Sequence, residues 1–184
     1  MAFTESTMIE LGTLAPSFDL PDTVSHQRVS WLEAKGEKGT LVYFICNHCP
    51  YVIHTIKELV QVTKDYREQG INAVAISSND VRNYPQDRPE LMTEFAEEYG
   101  MDFPYLYDED QSIARAYDAA CTPDIYLFDG EGKLYYRGRL DEHRVKSGTP
   151  SDGKDLRGAL DALLGGEAAP AKQYPSAGCN IKWK

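Results

Sequence analysis

Cys46-Asn47-His48-Cys49 sets two thiols three residues apart, directly after an apolar run and directly before Pro50. If the run is a strand and Pro50 opens a helix, residues i and i+3 at that junction face one side. Their Cα atoms can then fall within the ~4.4–6.8 Å that a disulfide requires. A helix N-terminus also offers unpaired N–H groups and a positive dipole end, both of which favour a thiolate. Cysteines so placed reach pKa values of ~3.5–7.5, against ~8.5 for an unperturbed thiol. His48 lies inside the motif, where an imidazolium would stabilise the thiolate further. The chemistry this allows is reversible dithiol–disulfide exchange. The plainer alternative is two buried core cysteines, and the strand-to-helix setting favours the redox reading.

The elements that must position the pair can be read from periodicity. Leu41-Val42-Tyr43-Phe44-Ile45 is an unbroken β-favouring run, as suits a central strand covered on both faces. Residues 50–69 predict a long helix with Val52, Ile53, Ile56, Leu59 and Val60 inward and Gly70 as its stop. Residues 71–77 predict a second buried strand. Pro89 begins another helix, with Leu91, Met92, Phe95 and Tyr99 at helical spacing before Gly100. A short helix over 112–119 follows. Strands over 124–128 and 133–139 flank the turn Asp129-Gly130-Glu131-Gly132, and an amphipathic helix over 154–164 turns Leu156, Leu160, Leu163 and Leu164 inward. Upstream, residues 17–31 predict a short β element turning at Ser25-His26. Ser30-Trp31-Leu32-Glu33 then has the form of a capping box opening a small helix. The order β-α-β-α-α-β-β-α argues for an α/β layered structure with a mixed sheet.

Composition narrows the setting. The chain has 184 residues, 42% of them hydrophobic, enough for one well-buried domain with some decoration. With 19 basic and 29 acidic residues the net charge is −10, which repels nucleic acid and anionic membrane, so neither is an expected partner. No segment approaches the ~20 apolar residues of a membrane span. Residues 1–16 carry Glu5 and Glu10 and lack the basic start and apolar core of a signal peptide. Four cysteines are too few for a secreted disulfide scaffold. The expected location is therefore cytoplasmic.

Taken together, these elements resemble the thioredoxin superfamily, in the branch shared by thioredoxin-like oxidoreductases and AhpC/TSA (peroxiredoxin-like) proteins. Leu11-Gly12-Thr13-Leu14-Ala15-Pro16-Ser17-Phe18-Asp19-Leu20-Pro21-Asp22 is similar to the G-x-x-A-P-x-F-x-L-x-D opening of peroxiredoxins and membrane-anchored thioredoxin-like reductases. Gly178-Cys179-Asn180-Ile181-Lys182-Trp183 resembles the ending of a group of bacterial thioredoxin-like proteins. The resemblance implies one thioredoxin-like α/β domain over 1–184, a mixed sheet sandwiched by helices. Residues 1–38 would form an N-terminal β extension with a short helix, and 166–184 a C-terminal tail. It implies that Pro123, after Thr122, is the cis-proline facing the C-x-x-C pair and presenting the substrate backbone. It implies thiol–disulfide oxidoreductase activity on a disulfide-containing protein or a small thiol substrate, with a separate electron donor and no cofactor. Cys46 would be the attacking thiolate, Cys49 would resolve, and His48 would tune the pair.

A peroxiredoxin-like thiol peroxidase with an antioxidant role is the alternative, its reactive cysteine being Cys49. That family's P-x-x-x-T/S-x-x-C has Val42 and Cys46 here at the proline and threonine positions, and Thr122-Pro123 occupies the region of its peroxide-orienting arginine. Those departures favour the reductase.

Two cysteines remain. Cys121 precedes the Pro123 loop and reads equally as an extra resolving thiol or a small buried hydrophobe. Cys179 lies where Ile181 and Trp183 alternate with Lys182 and Lys184, the pattern of an extended segment pinned to the body. It reads as a spectator before a resolving thiol. A soft-metal site built from Cys46, Cys49, Cys121 and His48 or His54 ranks behind, because the spacing lacks a second close ligand pair; no metal is expected. Residues 141–153 form a loop long enough to be functional.

Overall fold

The computed structural model describes residues 2–184. The strands are β1 (Phe3–Glu5), β2 (Asp19–Pro21), β3 (Arg28–Ser30), β4 (Gly39–Phe44), β5 (Ile71–Ser77), β6 (Tyr105–Tyr107), β7 (Cys121–Thr122), β8 (Asp124–Asp129), β9 (Leu134–Arg137) and β10 (Ala177–Asn180). The helices are α1 (Trp31–Ala34), α2 (Pro50–Arg67), α3 (Pro89–Tyr99), α4 (Ser112–Ala116) and α5 (Lys154–Leu164), with a 3₁₀ turn at Pro85–Asp87.

Every residue of β4 is buried, as its unbroken apolar run requires, and it lies at the centre of a five-stranded sheet ordered β6-β5-β4-β8-β9. β5 and β6 run parallel to their neighbours, whereas β8 and β9 are antiparallel. Alternation along β4 divides two cores. Leu41 and Tyr43 face α2, α3 and α5 with Ile56, Met92 and Leu160. Val42 and Phe44 face the opposite layer with Trp31, Ala114 and Tyr117. The result is a mixed sheet sandwiched by helices.

Local signals explain most boundaries. Ser30 accepts from the Glu33 N–H and Glu33 reaches back to the Ser30 N–H, closing the capping box of α1. Gly100 ends α3 at φ 65°, in the left-handed region that glycine enters without penalty. Two expectations need correction. Ile53 is 47% exposed rather than inward, because α2 buries Val52, Ile56, Leu59, Val60 and Tyr66 along a stripe that Ile53 flanks. The alternation after Cys179 is also inverted in part: Lys182 is buried, its ammonium held by the Asn180 carbonyl and side chain, while Trp183 is half exposed under Arg115.

A second, small sheet escaped the sequence reading. β10 lies between β1 and β7, antiparallel to both, with Cys179 opposite Phe3 on one side and Thr122 on the other. The approach to β7 is too close for a side chain at position 178, where a Cβ would stand 2.0 Å from the Thr122 carbonyl oxygen. Beyond β10, the Lys182 N–H donates to Asn79 Oδ1 and the Lys182 carbonyl accepts from the Asp80 N–H. The tail thereby joins the loop after β5.

Beneath this sheet lies a buried ion pair. Arg137 and Asp124 meet at 3.0 Å, both side chains essentially inaccessible. Arg137 also donates to the Asp118 carbonyl and Thr7 Oγ1, tying the N-terminal segment to the sheet.

Candidate active site

β4 ends at Phe44, and Ile45 passes its N–H to the Ile76 carbonyl, so the chain leaves the sheet at Cys46. Cys49 takes the N-cap of α2 with extended backbone, and Pro50 fills the first helical position, where an N–H would have no partner. The Cys46 and Cys49 thiols flank this junction, near enough for each to shift the ionisation of the other. Thr122 lies against both, its hydroxyl 3.6 Å from Cys46 Sγ and its carbonyl 3.3 Å from Cys49 Sγ. The Thr122–Pro123 peptide bond is cis. A third sulfur joins them, because Cys179 Sγ stands 2.8 Å from Cys49 Sγ.

The charge within the pair rests on Cys49. The Cys46 thiol above all, with the Cys179 thiol, the Thr122 hydroxyl and the Val52 N–H, outweighs burial and holds Cys49 at about 5. Cys46 is pushed well above an ordinary thiol by Cys49 beside it, by burial and by the negative charge of Asp87. The sequence reading gave the thiolate to Cys46. The folded site favours Cys49 instead, because the Cys46 and Cys179 thiols stabilise charge there while the Asp87 carboxylate opposes it on Cys46.

Asp87 organises the rim. Fully buried, it accepts from the Asn47 N–H and from Asn79 Nδ2, each at 2.9 Å. Its other contact is His48 Nδ1 at 2.7 Å, without hydrogen-bond alignment. The His48 ring stacks on Tyr84, over which Lys182 also lies. Asn47 donates to the Gln86 carbonyl and accepts from the Tyr105 hydroxyl. Residues 78–88 and the tail thus close over the cysteines, leaving Cys46 only 1% exposed. Asp87→Asn keeps an acceptor for Asn47 and removes the charge, so the Cys46 thiol pKa is expected to fall. Mass-resolved alkylation against pH measures this, and an unmoved Cys46 profile would refute the role given to Asp87.

Cys121 stands apart from the cluster. Strand alternation turns it away from the face of Thr122, and its thiol donates weakly to the Pro123 and Ser176 carbonyls. Burial pushes its pKa far up, which suits an inert core thiol rather than a resolving one. The metal set built on Cys121 or His54 is not assembled. Among the described residues, the ligand atoms that do converge belong to Cys46, His48 and Asp87, within 4.8 Å of one another. His54 instead lines a cleft of about 350 Å³ beside Pro123, with Phe3, Tyr51, Leu140, Val145 and Tyr174. The 141–153 loop forms one wall, knitted by Asp141, which accepts the N–H groups of His143, Asp152 and Gly153.

Asp87 gave no sequence signal, since it reaches Asn47 across 40 residues from a loop without periodicity. Thr122 was visible only as the neighbour of Pro123. For Cys179 the signal was Gly178, a glycine inside an otherwise extended tail, which often marks a close backbone approach.

An uncharacterized conserved protein from Geobacillus kaustophilus has a crystal structure similar at TM-score 0.97, with 51% identity over 100% of this chain and 97% of its own. A hypothetical protein from Sinorhizobium meliloti matches at TM-score 0.95 and 44% identity, covering 98% of each chain. The thiol-disulfide oxidoreductase ResA of Geobacillus kaustophilus is 29% identical over 134 residues, 72% of this chain and 71% of that protein. The model of the AhpC/TSA family matches residues 11–137, well over half of the sequence. The chain belongs to the AhpC/TSA family, within the thioredoxin-like branch of redox proteins.

Proposed function

We propose that the protein is a thiol–disulfide oxidoreductase cycling Cys46 and Cys49 between dithiol and disulfide on disulfide-containing substrates. The observation that carries this is the placement of both thiols at the start of α2, packed against Thr122 beside the cis Thr122–Pro123 bond, with one thiolate held at about 5. At neutral pH the coupled pair holds one proton, which either sulfur can carry. Cys46 gives that proton to Cys49 and attacks one sulfur of the substrate disulfide. The departing thiolate takes the proton from Cys49. The Cys49 thiolate then attacks Cys46 Sγ, which releases the second half of the substrate and leaves the Cys46–Cys49 disulfide. The attack is assigned to Cys46 because Cys49 is packed against Thr122 and Cys179; both thiols are buried, so residues 78–88 must part before a substrate reaches Cys46.

The peroxidase reading lacks a donor aimed at a bound peroxide. Arg137, the fully buried arginine of this region, is engaged by Asp124, Asp118 and Thr7. Rapid mixing of reduced protein with a model disulfide, and separately with hydrogen peroxide, tests the choice. Fast disulfide exchange beside peroxide oxidation at the rate of a simple thiol is the expected result. Peroxide oxidation several orders of magnitude faster, lost in Cys49→Ser and kept in Cys46→Ser, would make the protein a peroxidase. A cytoplasmic location belongs to the same proposal; its support is a cysteine count too low for a disulfide scaffold, and cell fractionation checks it.

A further inference from the structure

We infer that Cys179 is a third redox-active thiol, which takes the disulfide over from Cys46 so that Cys49 ends bonded to the tail strand. The inference rests on the oxidoreductase reading and extends it. Cys49 shares Thr122 with Cys46, its C-x-x-C partner, and stands 2.8 Å from Cys179. That separation is inside the ~3.5–4.0 Å of an ordinary non-bonded contact between carbon atoms. It does not arise from a loose tail. β10 is held on both edges, and its register sets Cys179 directly across from Thr122, whose carbonyl and hydroxyl touch Cys49 and Cys46. Gly178 is what lets the strand come so close, since any Cβ there would collide with the Thr122 carbonyl.

The step is an exchange without net oxidation. The Cys179 thiol loses its proton and its sulfur attacks Cys49 Sγ of the Cys46–Cys49 disulfide. A Cys49–Cys179 bond forms as the Cys46–Cys49 bond breaks, and Cys46 leaves as a thiolate that takes up the proton. Burial pushes the Cys179 thiol up to about 12, and Cys46 is raised as well, so the exchange begins and ends on protonated thiols at neutral pH. The disulfide has then moved from the rim formed by Asn47 and His48 to the tail strand, and Cys46 is a thiol again. A reductant that attacks Cys179 can restore the enzyme without meeting the substrate at Cys46.

The test uses the full chain treated with rising amounts of glutathione disulfide, quenched in acid, capped with N-ethylmaleimide and digested for mass spectrometry. In the wild type, peptides containing Cys49 and Cys179 are expected cross-linked with Cys46 capped, beside a population bonded Cys46–Cys49. In Cys46→Ser the Cys49–Cys179 cross-link should become the main product. In Cys179→Ser it should be lost while Cys46–Cys49 still forms. If Cys179 is fully capped in both wild type and Cys46→Ser while Cys46–Cys49 forms, this inference fails and the oxidoreductase reading stands. If no Cys46–Cys49 bond forms in any sample, the oxidoreductase reading fails, and a Cys49–Cys179 cross-link appearing alone overturns the exchange with it. Gly178→Ala, which keeps all four thiols and displaces the strand, should also lose the cross-link; retention of it would overturn the part assigned to β10.

Discussion

Cys49→Ala is expected to reduce turnover of a model disulfide to the uncatalysed background and to leave substrate disulfide-linked to Cys46. Without Cys49 the mixed disulfide has no resolving sulfur at the helix N-cap: Cys121 is turned away from the site, and Cys179 meets Cys49 rather than Cys46. Cys46→Ala should also stop turnover, with nothing trapped. The two variants differ further in pH dependence. In the wild type the pair ionises with an apparent value governed by Cys49 at about 5. A lowered thiol pKa means that thiolate appears as pH rises through that value, so reactivity should climb near pH 5 and be level by neutrality. The Cys46 thiol is the largest cause of the lowering. Cys46→Ala therefore moves the ionisation of Cys49 upward, toward an ordinary thiol. Quenched mass spectrometry identifies the trapped adduct, and alkylation rates against pH read the shift. A mixed disulfide trapped on Cys49 in Cys46→Ala, with full resolution in Cys49→Ala, would exchange the two roles.

The second large effect concerns stability. Removing Asp124 strands the Arg137 guanidinium in an interior that excludes water, and breaking a buried pair in this way costs roughly 3–5 kcal/mol. For a chain of this size each kcal/mol lowers the melting temperature by about 2–4 °C, so Asp124→Ala should melt roughly 6–20 °C below the wild type. Replacing both partners, as Asp124→Leu with Arg137→Met, removes the uncompensated charge and should recover most of that loss. Calorimetry on the three proteins decides it. A single variant that melts within a degree or two of the wild type would show that the ion pair does not hold the N-terminal segment.

The core sheet was legible because its signals are local. The apolar run of β4, the Pro50 and Pro89 helix starts, Gly100 and the Gly130-containing turn all act within a few residues, and the chain obeys them. β6 was missed because three residues carry no usable period. β1, and the partners of the extended segment expected at β10, were missed for a different reason. Each is stabilised by a partner more than a hundred residues away, with Phe3 opposite Cys179, and nothing local announces such pairing. The site divided in the same way. Cys46, His48 and Cys49 were readable from spacing, and Pro123 from the resemblance to the thioredoxin fold. The proton's seat was not, because beyond the coupling within the pair it depends on burial and on Asp87 and Cys179, which only the folded chain supplies.

The seating of β10 against β7 also makes the protein a competitor of its own visitors. An extended peptide recognised by strand addition would seek main-chain partners along β7 beside the cysteines, and those partners are already taken by Cys179 and Asn180. The occupant is tethered through residues 165–176 to the end of α5, which gives it an effective concentration on the order of millimolar. A visiting strand must outbid that tether, whereas a small disulfide that needs no strand pairing does not. Strand pairing beside the cysteines is thus open only to a visitor that displaces β10.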